Sequence, residues 1–358
     1  MAKMIARAAN KPEDYTRFNV TPNTILPRED GMRTKADEKN FEWWYFDANL
    51  TDGRNVVATF MTKDPFNLST ELKPWVSFEV TDTDGKTTSY REDVTAQEFS
   101  ARTDYCDVHI GKNYLTGDLK TYTLHFEKNG FVADLTIKNI LSSWRPAAGA
   151  NLFGDKQFSW LPAVPAADVT GTLTTNGQTS DITGKGYHDH NWGDELMIKM
   201  MHHWYWGRAD VGDYKVISTE TTAEKAYGYS KLPVMMIADH GEIISGDESN
   251  MVVEDSDVFI DEHTKKPVQK NLKYTVKGEK NTYVVTYNMD NIISGFKMID
   301  EMTGIKKLLA KLSGFDGAYL RFTGTIKVTK YADNKIVDEA VNPDGIWELM
   351  YFGKTINE

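Results

Sequence analysis

The chain contains a single cysteine, Cys106. One thiol excludes an internal disulfide framework and any zinc or iron–sulfur site that needs several thiolates. Cys106 lies among Asp104, Tyr105 and Asp107, and negative neighbours raise the pKa of a thiol rather than lower it. We therefore expect Cys106 to pack as a small apolar side chain and not to act as a nucleophile.

Long apolar runs and an excess of positive charge are also missing. No stretch of about 18 apolar residues occurs, and residues 1–7 lack the apolar run of a signal peptide. The net charge is -11, whereas nucleic-acid binding depends mostly on clustered Lys and Arg. These absences predict a cytoplasmic, soluble protein without stable membrane insertion and without a nucleic-acid partner.

Common catalytic and nucleotide-binding motifs are absent as well. The sequence has no Gly-x-Ser-x-Gly elbow, no Walker loop and no dinucleotide fingerprint. Its β-rich pattern also offers no strand–loop–helix unit on which a nucleotide would bind. We therefore expect a protein that uses no cofactor.

The chain does contain many short alternating runs rich in Thr, Val, Tyr and Phe, which are typical of β-strands. Turn dipeptides separate these runs at Asp52-Gly53, Asp84-Gly85 and Asn176-Gly177. We predict an all-β chain in which hairpins dominate. A length of 358 residues exceeds the roughly 250 to 300 at which single cores stop growing, so two domains are expected.

Helical periodicity is clear only in residues 292–312, where four apolar side chains recur at helical spacings: Ile305, Leu308, Leu309 and Leu312. The pattern predicts a short helical insertion in the second half of the β scaffold. In one interpretation the insertion covers a cavity. In the other it plugs a barrel end for packing alone, and the sequence favours neither.

A weak internal repeat divides the chain into halves. Trp43-Trp44-Tyr45-Phe46 has a counterpart in His203-Trp204-Tyr205-Trp206, and residues 169–173 resemble residues 322–326. Both offsets are close to half the chain, which predicts two similar domains, residues 1–195 and 196–358. Each half is long enough for an antiparallel β-barrel or curled sandwich whose interior holds an apolar ligand.

The segment Tyr187-His188-Asp189-His190-Asn191-Trp192-Gly193, here called the central motif, gathers two imidazoles, a carboxylate, an amide, a phenol and an indole. Core strands prefer aliphatic residues and surface strands prefer Thr, Lys and Glu, so packing alone rarely selects this set. We favour catalytic roles for five of its members: Asp189, His190, Asn191, Tyr187 and His188. The structural alternative is a buried polar network that pins a strand end.

On an extended strand, His188 and His190 point to one face while Asp189 and Asn191 point to the other. The two imidazoles match half of a zinc or iron site, whose further ligands would come from His202, His203 or Asp194. The spacing alone is unspecific, and we predict no metal. In the metal-free interpretation, an aspartic acid in an apolar pocket keeps its proton and a nearby histidine relays or accepts one.

Aromatic triplets open both halves of the chain. Rings carry much of the packing energy of cores and interfaces, and each ring taken singly is expected in a core. In the functional interpretation they wall a pocket for an unsaturated ligand, and their faces stabilise a developing cation. The residues assigned to this wall are Trp43, Trp44, Tyr45, Trp192, Trp204 and Trp206.

Residues 42–46 and the central motif resemble the carotenoid 1,2-hydratase (hydroxyneurosporene synthase) family and its AttH-like relatives, over nearly the whole chain. The resemblance implies two tandem lipocalin-like (calycin) antiparallel β-barrel domains. It also implies addition of water across an isoprenoid double bond without a cofactor, with Asp189, His190 and Asn191 in the site. Related kievitone-hydratase-like enzymes and fungal decalin-forming Diels–Alderases share this architecture.

The residues and the resemblance support three hypotheses for the function. In the leading one, the protein is a hydratase of a hydrophobic unsaturated small molecule, isoprenoid or polyketide-like. Asp189 or His190 is then the acid, its partner handles water, and Asn191 with Tyr187 orients the pair. The second hypothesis is a Diels–Alderase-type cyclase, which transfers no proton. The third is a lipocalin-like carrier that binds lipid without chemistry.

Overall fold

The computed structural model describes residues 5–300, 302 and 315–355, which form two units. The N-terminal unit contains Ala9–Ala150 and Lys156–Leu196. The C-terminal unit contains Met197–Glu358 with the segments Met1–Ala8 and Asn151–Asp155, so far as these are described. The domain boundary between residues 195 and 196 stays a prediction.

Two short strands, β1 (Ala6–Ala8) and β11 (Ala150–Phe153), pair with each other. The N-terminal unit contains helix α1 (Pro12–Phe18). Its strands are β2 (Phe41–Leu50), β3 (Asn55–Lys63), β4 (Trp75–Thr81), β5 (Thr87–Asp93), β6 (Phe99–Ala101), β7 (Cys106–Ile110), β8 (Asn113–Gly117), β9 (Thr121–Lys128), β10 (Phe131–Asn139), β12 (Lys156–Thr175) and β13 (Gln178–Gly193). They form a curled antiparallel sheet, the first half-barrel, in the order β5-β4-β3-β2-β13-β12-β10-β9-β8-β7-β6.

The C-terminal unit contains helix α2 (Met197–Met200) and a 9-stranded antiparallel sheet, the second half-barrel. Its strands are β14 (Met201–Val211), β15 (Tyr214–Ala223), β16 (Lys231–Asp239), β17 (Glu242–Gly246), β18 (Met251–Ile260), β19 (Pro267–Lys277), β20 (Thr282–Lys297), β21 (Ala318–Ala332) and β22 (Lys335–Tyr351). The strand order is β17-β16-β15-β14-β22-β21-β20-β19-β18. The prediction of an all-β fold is confirmed.

The three hairpins predicted from turn dipeptides are confirmed as β2–β3, β4–β5 and β12–β13. Gly53, Gly85 and Gly177 have φ angles of 89°, 83° and 76°. A side chain is disfavoured in this left-handed region, so glycine allows the tight reversal that sets each hairpin's register.

Alternate residues of each strand form the two hydrophobic cores. In the first half-barrel Trp44 and Phe46 of β2 face the core, and so does Cys106, which is fully buried as expected. The corresponding strand of the second half-barrel, β14, turns Tyr205 and Ala209 inward. Tyr205 rather than Trp204 therefore matches Trp44, and the aromatic repeat is offset by one residue from its alignment in sequence. A one-residue slip exchanges the two faces of a strand.

The helical prediction is wrong for residues 292–297, which continue β20 and pair with β21. The ladder runs from Ile292 opposite Phe322 to Lys297 opposite Ala318, so backbone hydrogen bonds override the apolar spacing. Ile305, Leu308, Leu309 and Leu312 lie outside the described residues, and a helical insertion there stays a prediction. None of the helices in the described ranges is long and apolar enough to cross a membrane.

Replacing Gly324 by alanine tests how tightly β20 and β21 approach each other. The added Cβ would collide with the backbone oxygen of Asn288 and the backbone nitrogen of Asp290. We expect Gly324→Ala to lower the free energy of unfolding by about 1–3 kcal/mol, measured by urea denaturation. In the control Gly295→Ala, the new Cβ meets its nearest atom, on Ile292, at 3.7 Å, so equal losses in both variants would contradict this packing.

Candidate functional site

The central motif lies at the end of β13, between β2 and β12. Asp189 is opposite Tyr45 of β2, and Asn191 is opposite Trp43 of β2 and Trp160 of β12. The ladder to β2 continues without interruption through the motif, so successive side chains alternate between two faces. We call the face toward the first half-barrel core the inner face, and the opposite one the outer face.

Asp189 is the central group of the outer face. The Trp160 indole nitrogen and the Tyr187 hydroxyl donate to its Oδ2, each at 2.8 Å. The Asn191 amide donates to Oδ1 at 2.7 Å. Asp189 is only 6% exposed, although an aspartate side chain in water is charged at neutral pH. All three donors to its carboxyl group are neutral.

Burial raises the pKa of Asp189, and the three donors offset that rise only in part. The site therefore favours the protonated acid more than water does. Both lone pairs of Oδ2 are occupied by donors, whereas Oδ1 receives only the Asn191 bond among the described residues. The transferable proton is consequently expected on Oδ1.

Aromatic rings surround this carboxyl group. Tyr45 lies opposite Asp189, with its ring 6.5 Å from that of Tyr187. Trp43 and Trp160 flank Asn191 on its two neighbouring strands. Trp144 packs edge-on against Trp160 at 5.7 Å. The outer face thus places Asp189 among aromatic side chains, with a second buried acid, Asp47, opposite Tyr187 on β2.

His188 occupies the inner face and is fully buried. Its Nδ1 lies 2.8 Å from the backbone oxygen of Tyr45, and its Nε2 lies 3.1 Å from Asp30 Oδ2. The Tyr122 hydroxyl donates to the same Asp30 oxygen at 2.5 Å. Because a carbonyl and an ionised carboxylate only accept hydrogen bonds, both nitrogens of His188 carry protons.

The charges of His188 and Asp30 support the same assignment. Burial opposes ionisation of both groups, but their mutual attraction outweighs it. The pKa of His188 is raised and the pKa of Asp30 is lowered. The pair is therefore an imidazolium and a carboxylate inside the first half-barrel.

His190 joins a second buried acid on the inner face. Its Nε2 lies 2.7 Å from Glu42 Oε1, and its ring stacks on Trp44 at 4.5 Å. Glu42 also accepts the backbone N–H groups of Arg33 and Thr34, at 2.6 and 3.0 Å. The Glu42 carboxylate therefore connects the loop before β2 to His190 of β13.

Comparison with known proteins places these residues in a family. Residues 20–293, more than half of the chain, match the description of AttH-like proteins. The chain belongs to the AttH-like family. The family resemblance inferred from residues 42–46 and the central motif is thereby confirmed.

Two curated relatives are similar to this AttH-like protein. The hydroxyneurosporene dehydrogenase of Chlorobaculum tepidum is 25% identical over 242 residues, which are 56% of this chain and 61% of that protein. The ceramide-binding protein svf1 of Emericella nidulans is 28% identical over 207 residues, 54% of this chain and 53% of that one. The chain thus spans about half to three fifths of the length of these relatives.

Solved structures share the fold over a longer range. The crystal structure of CghA has a TM-score of 0.61 at 15% identity, and the match covers 94% of each chain. Kievitone hydratase from Nectria haematococca has a TM-score of 0.51 at 13% identity, covering 93% of this chain and 96% of that one. The predicted lipocalin-like fold class is confirmed by this similarity.

The structure of the AttH-like protein separates the predicted site residues into groups. Tyr187, Asp189 and Asn191 meet on the outer face beside Trp43 and Tyr45. The inner face holds His188, His190, Trp44 and Trp192, whose ring lies 4.7 Å from that of His190. Trp204 and Trp206 belong to the C-terminal unit, where Trp204 packs edge-on against Phe352 at 4.9 Å. The roles assigned to all of these residues stay predictions.

Sequence reasoning missed four groups that complete the two faces: Trp160, Asp30, Tyr122 and Glu42. Glu42 directly precedes the aromatic triplet, and this position was a usable signal. Asp30 and Tyr122 reach His188 from 158 and 66 residues away in sequence, and no local pattern marks either of them.

Asp30, Cys106 and His188 each offer a ligand atom, and these atoms lie within 4.8 Å of one another. Their chemistry fits a metal poorly. Both His188 nitrogens already donate hydrogen bonds, and burial followed by the charge of Asp30 raises the pKa of the Cys106 thiol well above its usual range. Metal binding would have to remove protons from both groups.

The buried Asp30–His188 pair predicts a pH dependence of stability. The folded protein holds the His188 proton more tightly and the Asp30 proton less tightly than the unfolded chain, so the pair's contribution is complete between about pH 3.9 and pH 6.5 and decreases as pH rises through the raised pKa of His188. We expect Asp30→Asn to lower the free energy of unfolding at pH 6 by about 3–5 kcal/mol and to remove this decrease.

Denaturant unfolding between pH 6 and 9 measures both effects. The control is Asp134→Asn, which breaks the exposed pair between Asp134 and His125 and should cost at most about 1 kcal/mol. A loss in Asp30→Asn as small as in the control would contradict a buried ion pair.

Proposed function

We propose that this chain is a cofactor-independent enzyme that hydrates a carbon–carbon double bond in a hydrophobic unsaturated small molecule, isoprenoid or polyketide-like. The observation that carries the proposal is the environment of Asp189. Its carboxyl group is buried, its pKa is raised, and neutral donors rather than a cation hold it among aromatic rings.

Protonation of the alkene is the first step. The Oδ1–H bond of Asp189 breaks, and the π electrons of the double bond form a new C–H bond. A carbocation and the Asp189 carboxylate result. The Trp160, Tyr187 and Asn191 donors then stabilise the carboxylate, because hydrogen bonds to an ionised group are stronger than those to a neutral one.

Addition of water completes the reaction. The water oxygen forms a C–O bond to the cationic carbon, and one water proton returns to Asp189. The acid is thereby regenerated, and neither a redox reagent nor a cofactor is consumed. The faces of Trp43, Tyr45 and Trp160 are suited to stabilise the cation before water reaches it.

Of the two candidate acids, Asp189 and His190, we propose Asp189 as the proton donor. His190 lies on the inner face and bonds to Glu42, so it does not share a strand face with Asp189. We propose positioning roles for Tyr187 and Asn191. His188 and His190 then hold the strand in place through their own buried acids.

The experiment described below also tests two other functions, a lipid carrier and a cyclase. The name of the svf1 relative supports a carrier that binds lipid without converting it. Similarity to CghA, whose structure has been solved with Sch210972, is consistent with a small-molecule site and supports the cyclase as an alternative. A cyclase of the Diels–Alderase type needs no proton from Asp189.

The test begins with native extraction of the purified protein and mass spectrometry of any co-purifying small molecule. That molecule, and lycopene as an acyclic polyene probe, are then incubated with the protein in oxygen-18 water. We expect a labelled hydration product. Asp189→Asn should reduce turnover by at least about a hundredfold while ligand affinity changes severalfold at most, since general acid catalysis contributes roughly 10²–10⁴-fold.

The matched control is Asp181→Asn, which changes an exposed aspartate on the same strand, β13, and should leave turnover unchanged. An unaltered ligand would favour the carrier, and an isomer of unchanged mass would favour the cyclase. Loss of ligand affinity together with activity in Asp189→Asn would assign Asp189 a structural role.

The pH dependence of the rate provides an independent prediction. If Asp189 must be protonated, kcat falls as pH rises through its pKa, which lies above the ordinary aspartate value of about 3.9. Trp160→Phe removes one donor to the carboxylate and should raise this pKa further, moving the falling limb to higher pH.

Stopped assays across pH 4–9 measure this shift. Trp144→Phe serves as the control, because it alters the ring that packs on Trp160 while the indole donor to Asp189 is kept. A falling limb that does not move in Trp160→Phe would argue against Asp189 as the acid.

A further inference from the structure

The C-terminal unit contains a polar row inside its core that the proposed hydration does not use. Ser218, Glu220 and Thr222 alternate along β15, on the same face as the core residues Tyr214 and Val216. All three side chains are buried, with residue exposures of 3%, 4% and 3%. Such a row is unusual in a core, where polar groups are costly unless they are hydrogen-bonded.

Ser218 is satisfied, because its hydroxyl and that of Tyr287 are 2.8 Å apart. Only one carboxylate oxygen of Glu220 has a partner among the described residues: Lys231 Nζ lies 2.9 Å from Oε1. Glu220 Oε2 and the Thr222 hydroxyl have no hydrogen-bond partner among the described residues. Buried polar atoms are nearly always paired in folded proteins, so these two oxygens are available to a partner that the described residues do not supply.

The row ends beside an opening in the sheet. In the described part of the chain, β17 and β18 are the outermost strands of the second half-barrel and are not paired with each other. Lys231 of β16 bridges this gap by contacting Glu220 and, at 3.2 Å, Asp255 of β18. Its side chain is 51% exposed, so the contact with Glu220 lies at the protein surface on the lysine side.

The surroundings of the two oxygens define the chemistry of a ligand. Tyr205 lies opposite Glu220 on β14, and the charge of Glu220 contributes, after burial, to the raised pKa of Tyr274. Trp347 is 3% exposed in the same core. The surroundings are therefore aromatic, which suits an apolar chain, and the carboxylate oxygen not paired with Lys231 favours a hydrogen-bond donor over an anionic head group.

We propose that this end of the second half-barrel binds an uncharged amphiphile through a hydroxyl group. The hydroxyl donates to Glu220 Oε2 and accepts from the Thr222 hydroxyl, and the alkyl chain lies against the aromatic core. Glu220 and Thr222 are two residues apart on one strand face, about 7 Å along the strand, and one ligand oxygen contacts both when the longer Glu220 side chain leans towards Thr222. The site is independent of Asp189, which belongs to the N-terminal unit.

Three probes of equal chain length test the head group: 1-decanol, decyl methyl ether and decanoate. Isothermal titration calorimetry with the full chain should show saturable binding of decanol with one site. The ether accepts but cannot donate to Glu220, and decanoate is repelled, so each should bind at least about tenfold more weakly. Equal affinities for all three probes, or no binding of decanol, would overturn the proposal.

Thr222→Val is the informative variant, because valine keeps the shape of threonine and removes an unpaired hydroxyl. It should leave the free energy of unfolding unchanged or raised, yet weaken decanol binding about five- to tenfold. Thr221→Val is the matched control, since Thr221 is also buried but points to the opposite face of β15. Equal affinity in the two variants would contradict a role for Thr222.

Glu220→Gln tests the charge separately. It removes the repulsion and should increase decanoate affinity relative to decanol, with folding checked by circular dichroism. Asp189→Asn should leave decanol binding unchanged. If Asp189→Asn abolishes turnover and decanol still binds, both proposals hold. Decanol binding without any turnover supports this site and not the hydratase, and turnover without decanol binding supports the reverse.

Discussion

The period-two alternation of β13 is the constraint on which the candidate site depends. Backbone pairing with β2 on one side and β12 on the other fixes which side chains of the central motif face the core. His188 and His190 consequently enter the first half-barrel, while Asp189 stays on the outer face. A register slip of one residue would exchange the two groups, burying Asp189 in the core and removing both histidines from their acids.

The two faces show how neighbouring partners give carboxyl groups opposite properties. Asp30 is buried beside the His188 imidazolium, and its pKa is lowered despite its burial. Asp189 is buried beside an indole, a phenol and an amide, and its pKa is raised. The full charge of a cation offsets desolvation, whereas neutral donors offset it only in part. The inner acid is thus suited to structural pairing, and the outer one to holding a proton that it can give away.

The two half-barrels share an antiparallel design but fill their interiors differently. Histidine–carboxylate pairs along β13 occupy the first core, whereas buried tyrosines and the Ser218–Thr222 row occupy the second. The one-residue offset between Trp44 and Tyr205 explains part of this difference, because it turns different members of each aromatic triplet inward. The two units therefore have a similar strand order but different buried polar groups.

The sequence by itself determined the β class, the three hairpins, the apolar burial of Cys106 and the division of the central motif between two faces. These features follow from glycine turns and from strand period, which act over a few residues. Only the tertiary structure decided that Trp160 holds Asp189, that Asp30 pairs with His188, and that residues 292–297 continue a strand. Those outcomes depend on contacts between residues far apart in the chain, and the direction of each pKa shift depends on burial, which local patterns do not encode.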